Sequence, residues 1–257
     1  MSPIVEDLVW LSRNLGDPSH DLAILAEGNA SARDGDSFWV KASGFNLSSL
    51  TEDGLVEVDF PAAYRLLDKA SLSDAEIREA LKSISVGSSG LMPSVETFMH
   101  AFLLALPGVG FVGHTHPTPL LSLISTTSAS DLAKKRIFPD EVVCCGPETV
   151  FVPYADPGLP LAQAVMSSVE EYIRHREETP KTIWLENHGL ITLGQTAQEV
   201  LSGTLMSVKA GRVWLQGFAS GLELKPLSAE QIDRIHTRPD EHYRQALLRQ
   251  LAGNPIA

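Results

Sequence analysis

A chain of 257 residues with 32 acidic side chains, 20 Lys or Arg and a formal charge of −12 has no basic stripe with which to neutralise nucleic-acid phosphates or an anionic membrane surface. Its 44 % apolar and 20 % charged content is that of a globular protein with a sizeable core, and no run of eighteen apolar residues is present to span a bilayer. The N-terminus lacks a basic n-region and a cleavage site. Its two cysteines, Cys144 and Cys145, are adjacent and poorly placed to bridge each other; the expectation is a cytoplasmic protein, with the pair as small apolar filler in a strand.

Residues 3–15 predict an amphipathic helix, with Ser2 as cap and Pro3 at its first position. Residues 28–44 predict a hairpin turning at Asp34-Gly35-Asp36, its second arm rich in strand formers. A helix is expected over 61–69, and the capping box "SDAE" at 73–76 opens another to about Ile84. The small, polar stretch 85–93 reads as turns. From Ser94, placed as N-cap, apolar residues at 95, 98, 99, 102, 103 and 106 mark a helical stripe. There follow a strand "GVGFVGHTH" (108–116), a helical run after Pro117, and a strand pair through "EVVCCG" (141–146) and "TVFVPY" (149–154). A helix over 158–176 leads to two strands meeting at a tight turn in "KTIWLENHGLITLG" (181–194). A second capping box, "TAQE" (196–199), opens a helix to about Phe218. The tail from Ser228 reads as polar helix, broken near "TRPD" (237–240). Strands and helices do not alternate as strict βαβ units, which argues against a doubly wound parallel sheet. No repeat or linker divides the chain, so one domain is expected over 1–257, with a helical C-terminal tail from about 226.

In "GHTHP" a strand period of two points His114 and His116 to one face and Thr115 to the other. His188, in the turn "ENHG", completes a candidate set of three imidazoles. Three neutral histidines with one open position describe a catalytic zinc site rather than a structural one. Glu96 lies in the first turn of the helix that leads to the His-x-His strand; the expectation is that it ends near the metal and moves protons there. Gly28-Asn29, Ser43-Gly44 and Ser94 combine permissive backbone with helix-end donors, a combination suited to an anion, and Lys41 adds a point charge. Each residue also has an ordinary reading: a turn histidine, a carboxylate on a helix dipole, cap and turn composition. His100, four residues after Glu96, reads as a helix neighbour. His20, His175, His236 and His242 read as surface.

Five segments in order, "EGNASAR", "VKASG", "PSVETFMHAFLL", "GVGFVGHTHP" and "ENHGLITLG", resemble the class II aldolase/adducin family over about residues 5–218. The likeness is to the zinc-dependent aldolases of fuculose and rhamnulose 1-phosphate. The wording is also similar to the aldolase portion of bacterial proteins fused to a short-chain dehydrogenase, though no second domain is expected within these 257 residues. The resemblance implies a three-layer α/β/α sandwich around a mainly antiparallel sheet. It implies His114, His116 and His188 as ligands of Zn²⁺ or another divalent transition metal, Glu96 as acid/base, and Asn29, Ser43, Gly44 and Ser94 as contacts to substrate phosphate. Val95 stands where smaller members often carry a second serine, and Lys41 replaces a neutral residue, so phosphate and carboxylate both stay open as the anion. The implied activity is retro-aldol cleavage of a ketose 1-phosphate or sugar acid through a metal-stabilised enediolate. The implied assembly is a homotetramer with an acid tyrosine from a neighbouring subunit; Tyr154 is available, but no motif fixes it. The same chemistry serves a 4-epimerase, a decarboxylase or a dehydratase. Adducin-like members keep the fold as a non-catalytic interaction module, and a purely structural metal site is a third alternative.

Overall fold

The computed structural model describes residues 2–87 and 90–238. Pro3 occupies the first turn of α1 (Pro3–Leu15), whose Val5, Leu8, Leu11 and Leu15 are buried on one side, as a 3.6-residue period requires. β1 (Asn29–Asp34) and β2 (Ser37–Lys41) pair antiparallel from Asp34 with Ser37. That leaves a two-residue loop in which Gly35 takes φ +59°, the backbone a tight hairpin demands. β3 (Leu55–Asp59) follows, then α2 (Phe60–Arg65), shorter than the 61–69 expected because its last turn tightens into a 3-10 turn at Leu66–Asp68. α3 (Asp74–Ile84) begins with the reciprocal Ser73–Glu76 capping box.

The helix expected from Ser94 starts later. α4 (Thr97–Leu103) has Glu96 at its N-cap position, and Ala42 bridges Pro93, so the preceding backbone is extended. β4 (Phe111–Thr115) leads to α5 (Thr118–Ile124) and α6 (Ala129–Ala133). The strand expected at "EVVCCG" is instead α7 (Pro139–Cys145). Pro139 at its first position and Asp140 and Glu141 in its first turn favour a helix start, and a short apolar run carries no period of its own to contradict them. Cys144 and Cys145 therefore lie on a helix and are not disulfide-bonded, with Cys145 Sγ 3.3 Å from Ser207 Oγ. β5 (Val150–Val152), α8 (Leu159–Arg176), β6 (Thr182–Leu185), β7 (Gly189–Gly194), α9 (Ala197–Ala219) and α10 (Ala229–His236) complete the described chain. Thr196 caps α9 through Glu199 N–H; the returning Glu199 carboxylate takes Gln195 N–H rather than closing a box on Thr196. Residues 239–240 of the expected break, and His242, lie outside the described residues.

The seven strands form one sheet in the order β3-β2-β1-β4-β7-β6-β5. Every pairing is antiparallel except β5 with β6, and there α8 makes the crossover a parallel pair needs. Alternate residues feed opposite cores. Val112, Ile183 and Ile191 face α2, α3, α4 and α8, while Phe111, Trp184 and Leu190 face α1, α5 and α9. The result is a three-layer α/β/α sandwich around a mainly antiparallel sheet. α10 rests its Ile232 and Ile235 on Val142 of α7, and His236 Nε2 sits 2.8 Å from Glu178 Oε2, so His236 is a docking contact rather than a bare surface group. No helix among the described residues is long and apolar enough to cross a membrane.

Candidate metal centre and active site

β4 is central in the sheet, and its neighbours assemble the site. On one side Asn29 of β1 pairs with His114; directly opposed residues share a face, so the amide and the imidazole lie together. On the other side β7 pairs with β4, Leu190 against Thr115. The β6–β7 turn therefore folds back over the end of β4. Asn187, at φ 53°, takes the left-handed turn position, and His188 N–H donates to Leu185 O at 3.1 Å. His116, one residue past β4, is fixed by its N–H donating to Leu22 O at 2.7 Å.

The three rings meet with centroids 4.8, 4.9 and 5.1 Å apart. His114 Nε2 lies 3.3 Å from His188 Nε2 and 3.0 Å from His116 Nε2. His114 Nδ1 faces Leu190 O at 3.0 Å; a carbonyl only accepts, so Nδ1 carries the proton and Nε2 presents a lone pair. Lone pairs crowded at this distance repel unless a cation sits among them. Tetrahedral zinc with bonds of about 2.0–2.1 Å sets its nitrogens about 3.3 Å apart. The donor set fits such an ion, and it is the group of three metal-ligating side chains found among the described residues. Burial, and after it the neighbouring charges, push His114 down to about 4 and His116 to about 3, so both are neutral ligands at pH 7.

Glu96 stands beside them, 7 % exposed. Its Oε1 is 3.2 Å from His188 Nε2 and its Oε2 3.6 Å from His114 Nε2. Burial alone would push its carboxyl up, but the histidines and the Asn29 amide outweigh it and hold the group well below the usual carboxylate range. The Asn29 amide, a donor to the ionised carboxylate, favours that form. Asn29 Nδ2 donates to Glu96 Oε2 at 2.6 Å and to Ser94 Oγ at 3.3 Å.

The expected anion contacts are dispersed differently. Ser43 and Gly44 are exposed, and Gly44 has φ +84° with open space where a Cβ would stand. Ser43 N–H, however, already donates to Met92 O. Lys41, expected to add a point charge for the anion, turns its ammonium inward. It is 2 % exposed, and its ammonium donates to Phe45 O at 2.7 Å, Ala26 O at 3.2 Å and Ala42 O at 3.5 Å. It ties the segment before Gly28 to the loop after β2, and burial lowers its pKa against the pull of Glu96. Tyr154 is exposed and its hydroxyl donates to Asp156. His100, read as a helix neighbour, is fully buried and bonded to Asn29 and Ser31. Its signal in the sequence was a lone imidazole inside the apolar run "FMHAFLLAL".

The family description "Class II Aldolase and Adducin N-terminal domain" matches residues 6–215. Among curated proteins, the chain is 25 % identical over 220 residues to YuxG of Bacillus subtilis (strain 168), named an uncharacterized oxidoreductase; the match covers 82 % of this chain and 29 % of that protein. The chain thus spans under a third of that relative's length. Among solved structures it is similar to the N-terminal class II aldolase domain of a conserved protein from Thermoplasma acidophilum, with 28 % identity, a TM-score of 0.67 and coverage of 84 % of this chain and 95 % of that one. It is also similar to an L-fuculose 1-phosphate aldolase, with 16 % identity, a TM-score of 0.68 and coverage of 95 % and 97 %, a likeness of fold.

Proposed function

Since the chain belongs to the class II aldolase and adducin family, we propose that it is a metal-dependent carbon–carbon lyase that cleaves a ketose 1-phosphate, or a sugar acid of like shape, by retro-aldol chemistry. The observation that carries this reading is the buried Glu96 carboxylate, 3.2 and 3.6 Å from two nitrogens of a three-imidazole cluster. His114, His116 and His188 are the residues that hold the metal, Zn²⁺ in this reading, which when bound supplies Lewis acidity to the substrate oxygens.

The rest falls to the chain's own groups. Cleavage takes a proton from the hydroxyl on the carbon that becomes the aldehyde, and returns one to the carbon that keeps the bonding electron pair. Glu96 carries the proton to that carbon in the cleavage direction and removes it in the condensation direction. Asn29 holds the carboxylate in place. Ser43, Gly44 and Ser94, on the Asn29 side, hold the anionic end of the substrate and use its binding energy for orientation. Lys41 secures the two loops beneath them from inside. Assembly as a homo-oligomer in the cytoplasm belongs to the same reading.

Zinc-loaded protein is tested against a panel of ketose 1-phosphates and 3-keto acids, with products identified by mass and by proton NMR, which separates epimers of equal mass. Two carbonyl fragments are expected. A C4 epimer or loss of carbon dioxide would instead assign the epimerase or decarboxylase reading, and no turnover in a protein that binds no zinc would fit an adducin-like module. His188→Ala should lose zinc and activity together. Glu96→Gln should keep zinc by elemental analysis and lose about 10²- to 10⁴-fold in turnover; full activity in both variants refutes the assignment.

A further inference from the structure

The hydrogen bonds around Asn29 run in a single direction. An ionised carboxylate only accepts, so the atom facing Glu96 Oε2 at 2.6 Å is the Asn29 NH₂ group. Asn29 Oδ1 is thereby turned the other way, onto His100 Nε2. An amide oxygen also only accepts, so His100 Nε2 carries the hydrogen. His100 is fully buried, and burial disfavours a second ring proton. Its Nδ1 is therefore bare and accepts from the Ser31 hydroxyl at 2.6 Å. Ser31 and Asn29 are two residues apart on β1 and share a face; His100 follows Glu96 by one turn of α4.

The two ends of an asparagine amide are nearly equal in shape, so packing alone does not choose between them. Flipped, the Asn29 carbonyl would face the Glu96 carboxylate, acceptor against acceptor. The carboxylate disfavours the flip from its side, and a donor on the far side, His100 Nε2–H, adds a second preference for the same orientation.

We propose that His100 is a positioning residue: a neutral ring protonated at Nε2, it keeps the Asn29 NH₂ end on Glu96 and so sets the carboxylate beside the three metal-facing nitrogens. This rests on the reading of Glu96 as proton carrier, and the test separates the two. Zinc-loaded protein labelled with nitrogen-15 in histidine reports the tautomer by NMR, the His100 signals being those missing from His100→Gln. The expected ring is protonated at Nε2 and bare at Nδ1 at pH 7. A ring protonated at Nδ1, or at both nitrogens, overturns the proposal.

Turnover is followed with dihydroxyacetone phosphate as probe, by exchange of its hydroxymethyl protons with solvent deuterium. His100→Phe, which fills the space and donates nothing, should keep zinc and KM while kcat falls about 10- to 100-fold. His100→Gln, whose amide N–H reaches for the same oxygen, should recover most of that loss. Unchanged kcat in folded, zinc-loaded His100→Phe overturns the proposal, as does a folded His100→Gln no better than His100→Phe. If His100→Phe does not fold, the tautomer and the kcat of His100→Gln decide. Glu96→Gln is run alongside: wild-type exchange in that variant refutes Glu96 as proton carrier and leaves the tautomer result standing.

Discussion

Gly189 packs its bare Cα against the metal-facing histidines at the end of β4, and Gly189→Ala should damage zinc binding without altering any ligand. A Cβ there would lie 2.5 Å from Thr115 O, 2.8 Å from His116 Cδ2 and 3.1 Å from His114 Cε1. Carbon and oxygen ordinarily approach to about 3.3 Å, so roughly 0.8 Å must be found. The Thr115 backbone is paired in register with Leu190, and Leu190 O also takes His114 Nδ1; β4 is poorly placed to yield. The rings are left to move, and the two crowded ring carbons are each bonded to an Nε2 of the cluster. Metal–ligand distances tolerate about 0.2 Å. Overpacking of this kind costs about 1–3 kcal/mol; borne by the zinc-bound state, that is a loss of about 5- to 150-fold in affinity. Competition with a chromogenic chelator measures the affinity, and urea unfolding of the metal-free protein measures any share taken by the fold. Wild-type zinc affinity together with unchanged unfolding free energy would refute the account of how the hairpin abuts β4.

Two further predictions concern buried charge. His100 is held neutral, its pKa pushed from 6.5 to about 4, chiefly by burial; between those values the unfolded chain binds one more proton than the folded one. Stability of the metal-free protein should therefore fall as pH drops from about 6.5 to about 4, by about 3 kcal/mol from this residue, and flatten below. Urea titrations across that window should show a shallower fall for His100→Gln than for wild type; parallel curves would mean the ring is not neutral inside. Arg136, 2 % exposed, donates to the carbonyls of Gly146, Ala133, Lys135 and Cys145 and to Thr149 Oγ1, with the Glu141 carboxylate 3.9 Å away. Arg136→Met should cost about 3–5 kcal/mol in unfolding free energy by stranding those acceptors and that carboxylate; a thermal midpoint equal to wild type would contradict it.

Much of the fold was legible in the chain because the signals were local. The 28–44 hairpin announced itself through Asp-Gly and alternating strand formers, and the helix after Ser73 through a box that closes within one turn. "EVVCCG" was not legible: six residues without a period suit either element, and the choice fell to Pro139, two acidic residues and the neighbouring α9 and α10. Lys41 misled for a related reason. Strand alternation assigns a face, not its depth, and the ammonium went inward to three carbonyls.

For the site, the sequence by itself determined the chemistry on offer: two imidazoles on one face of a strand end, a third in a turn, a carboxylate at a helix start. Those facts follow from spacing within a few residues. Only the tertiary structure decided that the third imidazole, 74 residues beyond His114, comes within 3.3 Å of it, and that His100 is the fully buried partner of Asn29. Which strands become neighbours is set by how whole faces are buried, a collective property of the sheet, and no local pattern encodes it.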